Sequence, residues 1–445
     1  LSRVKQTNAK RERGYFLACL YAGNTFGALA GALLTGFLLL PQLGIGKAIL
    51  TGALVNLLSA GCFFFVHKNT TKTIDADTAD EVEGDKKNDY KLDFPVPISA
   101  LISGFAFLSL EVLWTRFLIN LFGSTVYAFT AVTSVCLFGL SAGAILAATL
   151  TDNKSLAVGP GYDKLARLLC ASALTVAISL YCYNQAPALY LYCLQFFYPI
   201  WADGSNTYIA AMLAVTSLVV LLPCLVMGLV LPFCLIIASP SKNLRDSTSV
   251  ILAFNLIGCA LGAIFAYCLF LAPFVGAFQS PIQTGTIAIA IIWALAAINI
   301  YACRSSILSK RPNLVLPCTL VLLVVTISAR PAWDTRLFSS AFAYLDLASL
   351  NQAGVESTLA YLTEGKHQEK ILAYYEGAGS TICVKLDQKN NSTYLIRNGK
   401  VEARIPFNSS RPSPLSDLPT HVLLGQLPSL FCRSESQEVL QIGYG

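Results

Sequence analysis

The composition of the chain places it in a membrane. Of its 445 residues 55% are hydrophobic and 13% are charged, and the mean hydropathy is +0.60. Soluble domains contain roughly 25% charged residues, so a soluble globular protein is excluded. The net charge of +6 does not predict nucleic-acid binding, because Lys and Arg form short clusters between apolar runs. The 14 cysteines lie mostly in those runs without metal-ligand spacing, so neither a disulfide framework nor a metal site is predicted.

Apolar runs of about 20 residues, the length that crosses the hydrocarbon core of a bilayer, recur along the chain. We predict eight membrane spans, at residues 15–41, 47–66, 97–121, 125–150, 165–183, 209–238, 249–273 and 284–303. A ninth run, 314–328, is short for a full crossing. It either spans, is re-entrant or anchors the region that follows.

The loops between these spans alternate in charge. Basic loops occur at residues 3–13, 68–91, 154–167, 242–245 and 304–311, and loops poor in basic residues occur at 42–46, 122–124, 184–206 and 275–283. Short loops rich in Lys and Arg stay in the cytoplasm, so the basic loops are predicted to be cytoplasmic and the others to lie on the opposite side.

An internal repeat divides the membrane region into tandem helix bundles of transporter-like type. Residues 20–31 and 251–262 share one spacing of Asn and two Gly, namely Asn24, Gly27 and Gly31 in the first copy and Asn255, Gly258 and Gly262 in the second. The glycines predict close helix packing. We expect the two helices to occupy equivalent environments, with each Asn bonded across helices or lining a shared cavity. The first copy keeps two helices, which predicts about four more upstream if the duplication was complete.

Two ionisable residues lie inside the third predicted span. Glu111 and Arg116 would each cost roughly 2.5–3.5 kcal/mol on insertion scales if they stood at mid-membrane without compensation. They therefore need a partner or water. One interpretation is a polar path for a cationic substrate, and the other is structural pairing near a helix end, where Arg116 can reach the interface.

From residue 330 the chain has mixed polarity and predicts a soluble domain. Strands are expected at 371–376, 380–386 and 393–396, with Asn398-Gly399 as a hairpin turn, so that 371–404 forms a small antiparallel sheet. After a helix around 421–430, a buried strand at 438–442 enters Gly443-Tyr444-Gly445. A strand that enters a Gly-x-Gly turn opens many nucleotide and S-adenosyl folds, and an ordinary turn is the alternative.

Several motifs follow one another in a fixed order. In the membrane region they are Glu111-Val-Leu-Trp114-Thr-Arg116, Phe122-Gly-Ser-Thr-Val-Tyr127, Pro223-Cys-Leu-Val-Met227-Gly228 and the two Asn-x-x-Gly-x-x-x-Gly repeats. In the tail they are Tyr375-Glu-Gly377, Asn398-Gly399-Lys400, His421 with Leu427-Pro428, and Val439-Leu-Gln-Ile-Gly443-Tyr-Gly445. This order resembles a family in which a major-facilitator-like membrane region is fused to a spermidine synthase-like domain.

The resemblance implies a domain plan. A multi-pass α-helical membrane bundle would be followed by the N-terminal β-hairpin region and first strand of a Rossmann-like S-adenosyl-binding domain, in a fragment truncated at both ends. The segments are the last two helices of the first repeat, 1–66; an acidic linker, 67–96; the second six-helix repeat, 97–303; a linker that includes the ninth apolar run, 304–329; and the incomplete spermidine synthase-like domain, 330–445.

The resemblance also implies an activity. The intact protein would transfer an aminopropyl group from decarboxylated S-adenosylmethionine to an amine in polyamine biosynthesis, and this fragment would be inactive. Gly443 and Gly445 would hold the cofactor, either that compound or S-adenosylmethionine. His421 and Glu402 would face the substrate, although Thr420 and Val422 replace the Tyr and Glu that flank this His in soluble enzymes, and Glu402 replaces a Gln. The catalytic residues are expected beyond Gly445.

Two other functions are open at this point. One is a major-facilitator-like transporter of a small cationic or amine substrate with a sensing tail, and the other is a methyltransferase that uses S-adenosylmethionine. The expected partners are the lipid bilayer, in a bacterial-type inner or plasma membrane, and a small amine, with no nucleic acid. We expect the tail in the cytoplasm, where such cofactors are made, whereas a full span at 314–328 would place it outside by charge counting.

Overall fold

The computed structural model describes most of the membrane region and the first part of the tail. The described residues are 2–74, 94–150, 158–201, 204–238, 244–271, 280–307, 315–340, 342, 345–363, 369–377, 379–406 and 423. The predicted helix at 421–430 and the predicted strand at 438–442 therefore lie outside the described residues, apart from residue 423.

Long helices form the first part of the molecule. They are α1 (Ser2–Leu34), α2 (Leu40–Ile74), α3 (Pro95–Phe122), α4 (Val126–Thr149), α5 (Val158–Trp201), α6 (Gly204–Thr216), α7 (Leu222–Ala238), α8 (Leu244–Leu271), α9 (Pro281–Ile307) and the shorter α10 (Val315–Ser328). Short π-helical turns, Thr35–Leu39 and Ser217–Leu221, join α1 to α2 and α6 to α7. Within the described residues, seven helical segments are long and apolar enough to cross a membrane. The chain therefore has the architecture of a multi-pass membrane protein.

The first apolar segment, Gly14–Phe65, covers the first predicted span and all but the last residue of the second. The helix is interrupted between them at Gly44, which has a φ of 73° and a ψ of 173°. This backbone conformation favours glycine because it has no Cβ. The two spans expected from the sequence are thus separate helical stretches on either side of Gly44.

One predicted loop is wrong. Residues 184–206 were expected to connect two spans, but α5 continues without interruption to Trp201 and α6 begins at Gly204. Pro187 and Pro199 lie inside this helix, where neighbouring helices can satisfy the backbone groups that proline leaves unpaired. At 44 residues, α5 is roughly 66 Å long, about twice the hydrocarbon thickness. α5 is therefore longer than a single crossing of a bilayer requires.

The core of the bundle lies between α3, α5 and α9. Trp114, Tyr183 and Trp293 are fully buried there, and Tyr183 shares a hydrogen bond of 2.9 Å with Thr286 of α9. By contrast, many large apolar side chains on the outer faces of the helices are exposed. An apolar exterior around a packed interior is the arrangement that lipid requires.

The tail begins with three short helices, α11 (Thr335–Phe338), α12 (Leu347–Ala353) and α13 (Val355–Thr363). A four-stranded antiparallel meander follows, in the order β1 (Glu369–Glu376), β2 (Thr381–Asp387), β3 (Ser392–Arg397) and β4 (Lys400–Pro406). These strands confirm the predicted small sheet. Asn398 and Gly399 have φ values of 48° and 78° and join the paired residues Arg397 and Lys400, which confirms the predicted two-residue turn.

The tail packs on one end of the bundle, where α3 ends and α9 begins. The side chains of Asn184 and Gln283 donate to the carbonyl groups of Ala332 and Pro331, at 2.7 and 2.8 Å. Trp333 stacks on Phe338 with ring centroids 4.1 Å apart and lies edge-on to Phe117 of α3. An aromatic cluster therefore anchors the start of the tail to the bundle.

The helices that carry the repeated motif pack differently. α8 lies against α3, where a Cβ atom on Gly258 or Gly262 would come within 2.0 or 2.2 Å of a backbone carbonyl oxygen. α1 lies against α4 and α7, but a Cβ on Gly27 or Gly31 would meet nothing within 4 Å among the described residues. The expected equivalence of environments is therefore not found.

Candidate functional site

A polar cluster joins the end of α3 to the sheet. We call it the bundle–sheet junction and define it by Arg116, Ser280, Tyr374, Glu376, Gly377 and Gly379. Arg116 is on α3, Ser280 precedes α9, and the others belong to β1 or to the turn after it. Residues more than 260 positions apart are hydrogen-bonded here, so the junction is formed by tertiary structure alone.

Arg116 binds the turn between β1 and β2. Its Nη2 donates to the carbonyl of Gly377 at 2.7 Å and its Nη1 to that of Gly379 at 3.1 Å. The guanidinium carbon also lies 5.6 Å from the centroid of the Phe270 ring on α8, within the range of a cation–π contact. Of the two interpretations of Arg116 made from the sequence, these contacts favour structural pairing near a helix end.

Glu376 is the buried acid of the junction, with 4% of its surface exposed. Ser280 donates to its Oε2 and Tyr374 to its Oε1, each at 2.8 Å. Burial raises the pKa of Glu376 to about 7, although both hydrogen bonds and the positive charge of Arg116 act in the opposite direction. The carboxyl group therefore changes its charge near neutral pH while it is enclosed between the bundle and the sheet.

Tyr374 connects Glu376 to the aromatic anchor of the tail. Its hydroxyl lies 3.5 Å from Nε1 of Trp333, which is a long hydrogen bond. Burial, followed by the charge of Glu376, raises the pKa of Tyr374 well above its usual value. Tyr374 is therefore a neutral hydrogen-bond donor at physiological pH.

The turn between β3 and β4 makes a second close contact with the bundle. A Cβ on Gly399 would lie 3.1 Å from the carbonyl oxygen of Asn120 on α3 and 3.3 Å from that of Ser340. Asn398 accepts from the backbone N–H of Thr381 at 2.8 Å and so fixes the turn to β2. The β1–β2 turn and the β3–β4 turn are thereby both held at the same end of the bundle.

Glu111 lies inside the bundle, away from the junction. Its Oε1 accepts a hydrogen bond of 3.2 Å from Thr133 of α4, and the residue is half-buried. Cys136 of α4 and Cys259 of α8 lie within electrostatic range of its carboxyl group. Glu111 therefore stands where α3, α4 and α8 meet.

The other predicted site residues are dispersed. Asn255 donates to the carbonyl of Ala100 on α3 at 3.0 Å, as expected for a bond across helices, whereas Asn24 is exposed and does not make the predicted bond to any described residue. Glu402 lies on the exposed surface of β4, 3.8 Å from Lys400. His421, Gly443 and Gly445 lie outside the described residues, so their predicted approach to one another stays a prediction.

Sequence reasoning missed Glu376 and Ser280 as members of a site. The only available signal was the tripeptide Tyr375-Glu376-Gly377, which ends the predicted first strand. A strand pattern places an acid on one face or the other, but the partner that covers that face comes from a distant part of the chain. Among the described residues, no three His, Cys, Asp or Glu side chains come together as a metal site.

Comparison with known proteins adds no assignment: no protein-family model matches the chain, and no curated protein or solved structure matches it either. The function must therefore be argued from the geometry and from the motif order. The junction can fix the orientation of the sheet relative to the helix bundle. Its acid is enclosed, so a substrate site must lie elsewhere.

Proposed function

We propose that the chain is the membrane bundle and hairpin region of a spermidine synthase-like transferase, which moves an aminopropyl group from decarboxylated S-adenosylmethionine to a small amine. The observation that supports this most is the four-stranded meander with its Asn398-Gly399 turn. It stands at the point in the motif order where the resembled family has its β-hairpin region. The hydrogen bonds of the bundle–sheet junction fix the position of this sheet on the bundle.

The proposed chemistry assigns roles to residues of the tail. The carbon–sulfur bond of the sulfonium cofactor breaks as the substrate nitrogen forms a bond to the same carbon, and the proton lost by that nitrogen passes to a base. Acceptor groups that hold a cationic amine are needed for this step. His421 and Glu402 are the substrate-side candidates, Gly443 and Gly445 would contact the nucleoside, and the base would lie beyond Gly445.

The test uses a chain extended beyond Gly445 and reconstituted in lipid. We expect it to bind the decarboxylated cofactor and to transfer the aminopropyl group to putrescine, and we expect His421→Ala to weaken both activities. His67→Ala, in α2, is the matched control and should leave both unchanged. If the extended chain binds no nucleoside and transfers nothing, the proposal is wrong. If it is active and His421→Ala has no effect, His421 is not part of the site.

Two alternatives can be separated in the same preparation. A methyltransferase would use S-adenosylmethionine as the donor and would give a methylated product instead of an aminopropylated one. A transporter of a small amine is favoured by a specific observation, the carboxyl group of Glu111 inside the bundle. It would move labelled putrescine across a proteoliposome membrane without any cofactor.

The packing of α10 supports a proposal for the location of the tail. The hydroxyl of Tyr181, on α5, donates to the carbonyl of Thr326 at 2.8 Å, so α10 lies along α5 and returns the chain to the end where Gln283 and Asn184 contact the tail. That end carries the loops poor in basic residues. By the positive-inside rule, we propose that the sheet lies on the non-cytoplasmic side, opposite to the side that cytosolic cofactors led us to expect.

Cysteine labelling can decide the side. The side chain of Glu402 is exposed, so Glu402→Cys should react with a membrane-impermeant maleimide from outside, as should Asp203→Cys. Lys154→Cys and Lys242→Cys should react only after permeabilisation, and the unsubstituted chain gives the background. These last three positions lie outside the described residues. Labelling of Glu402→Cys from the cytoplasm alone would place the sheet on the cytoplasmic side. The cofactor and the amine would then be supplied on that side in the transfer assay.

A further inference from the structure

Glu111 lies deep inside the membrane region. It is in α3 (Pro95–Phe122), roughly 24 Å along the helix from its beginning and 17 Å from its end. These distances place it near the middle of a bilayer about 30 Å thick. An ionised carboxylate at this depth costs several kcal/mol unless a partner or water compensates its charge.

The residues around Glu111 provide little compensation. Thr133 donates one hydrogen bond to Oε1, at 3.2 Å, and no basic side chain among the described residues forms an ion pair with it. Arg116, on the same helix, is committed to the carbonyls of Gly377 and Gly379. The second oxygen, Oε2, therefore has no donor within the described part of the chain.

Glu111 also lies close to α8. Gly104 lies two helical turns before it on the same face of α3, and a Cβ on Gly104 would lie 3.0 Å from Sγ of Cys259 on α8. Helices α4 and α8 thus border this acid, which is half-buried rather than enclosed.

We propose that Glu111 is a cation-binding site within the membrane region. Its carboxyl group holds a proton when the site is empty and exchanges it for the ammonium group of a small amine. The O–H bond of the acid breaks, its proton leaves to water, and an N–H···O⁻ ion pair forms. One positive charge enters as one leaves, so the site stays neutral in a low-dielectric environment.

The donor set decides the class of cation. Ca²⁺ and Mg²⁺ need about six oxygen ligands, and the described surroundings of Glu111 supply its own carboxylate and the Thr133 hydroxyl. An ammonium group carries three N–H donors and can be held by these few acceptors. The choice of an amine rests on the proposed function, whereas the protonated resting state follows from the depth and the single donor.

The experiment measures amine binding by the 445-residue chain in lipid nanodiscs without cofactor. Putrescine is titrated calorimetrically in two buffers of different ionisation enthalpy, so that released protons are counted. We expect one proton to be released per amine bound. Glu111→Gln should abolish the release and weaken binding at least about tenfold. Glu356→Gln, which removes an exposed carboxylate of α13, is the matched control and should change neither quantity.

Infrared spectroscopy tests the resting state separately. The spectra are recorded in a Glu376→Gln background, because Glu376 also holds a proton near neutral pH. In that background the carbonyl band of a protonated carboxylic acid should be present with Glu111, absent from Glu111→Gln and reduced when putrescine is added. Wild type that binds no amine, or Glu111→Gln that binds with equal affinity and equal proton release, would overturn the proposal. A band that persists with bound amine would also overturn it, because Glu111 would then be a permanently protonated structural acid.

Two further variants keep the test decisive if Glu111→Gln does not fold. Glu111→Asp keeps a titratable group and should keep proton release, and Thr133→Val removes the hydroxyl donor and should change the affinity while release persists. Loss of proton release in both folded variants would count against the exchange. The aminopropyl assay needs the extended chain and the cofactor, so failure of transfer there leaves the Glu111 result standing, and the reverse also holds.

Discussion

The two helices that carry the repeated Asn-x-x-Gly-x-x-x-Gly motif differ in what they contact. On α8 the motif lies against α3, with Asn255 bonded to the carbonyl of Ala100 and the glycines almost touching its backbone. On α1 the side chain of Asn24 is exposed, and Gly27 has open space around it. One pattern therefore gives a packed interface in one place and an exposed face in another.

The difference shows that a motif of small residues allows another helix to approach closely, but does not ensure that another helix packs there. In lipid, helices associate through packing and interhelical hydrogen bonds rather than through the hydrophobic effect. The stability that a residue contributes thus depends on whether a second helix is present. Matched substitutions of the same residue type, one packed and one exposed, can measure that dependence directly.

Of the residue types compared, carboxylates should show the largest difference in stability effect between a buried and an exposed position. The pKa of Glu376 is raised from its usual 4.5 to about 7, so its contribution to stability is complete below about pH 4.5 and is lost as pH rises through about 7. A shift of this size corresponds to roughly 3 kcal/mol. We expect the free energy of unfolding in detergent to fall by up to that amount between pH 4.5 and pH 8.

Glu376→Gln should remove this pH dependence, whereas Glu402→Gln, on the exposed surface of β4, should retain it. Thermal unfolding of the three proteins across the same pH range gives the comparison. A wild-type profile that is flat, or one that Glu376→Gln leaves unchanged, would show that the junction is not the origin of the effect.

Glycines should show the next largest difference in stability effect between a packed and an exposed position. Gly258→Ala would place a methyl group 2.0 Å from the carbonyl oxygen of Leu101, so α8 must move away from α3, at a cost of about 1–3 kcal/mol. Gly27→Ala meets nothing within 4 Å among the described residues and should stabilise the helix by roughly 0.5–1 kcal/mol. Unfolding in mixed micelles measures both changes. Equal destabilisation by the two substitutions would indicate that α1 has a packed partner in the membrane.

The sequence predicted the features that depend on local chemistry. Apolar length identified the spans, β-branched and aromatic residues identified the strands, and Asn398-Gly399 identified its own turn because both positions need positive φ. The continuation of α5 to Trp201 was missed because the predicted span ended at residue 183 and the absence of basic residues from 184–206 favoured a loop. A lack of basic residues does not by itself end a helix that is supported by its neighbours.

The candidate site was less predictable, since it depends on contacts between distant segments. Glu111 and Arg116 were recognised by their depth in an apolar run, yet nothing local could show that Arg116 binds the turn after β1 while Glu111 keeps a single hydroxyl donor. Glu376 and Ser280 form a hydrogen bond only because the tail packs on the end of the bundle. His421, Gly443 and Gly445 lie outside the described residues, so the cofactor loop stays a prediction.

Asparagines should show the smallest difference in stability effect between a packed and an exposed position. Asn255→Ala removes a hydrogen bond of 3.0 Å to the carbonyl of Ala100, and interhelical bonds in membranes average about 0.6 kcal/mol with values up to about 1.7. Asn24→Ala removes an exposed amide that bonds to no described residue, so its effect should be close to zero. Combining Asn255→Ala with Gly258→Ala should give less than the sum of the two effects, because the alanine methyl group already displaces α8 from α3 and breaks the same bond. Additive effects would mean that the bond survives the displacement, and a loss from Asn24→Ala equal to that from Asn255→Ala would mean that the two faces are equally packed in the membrane.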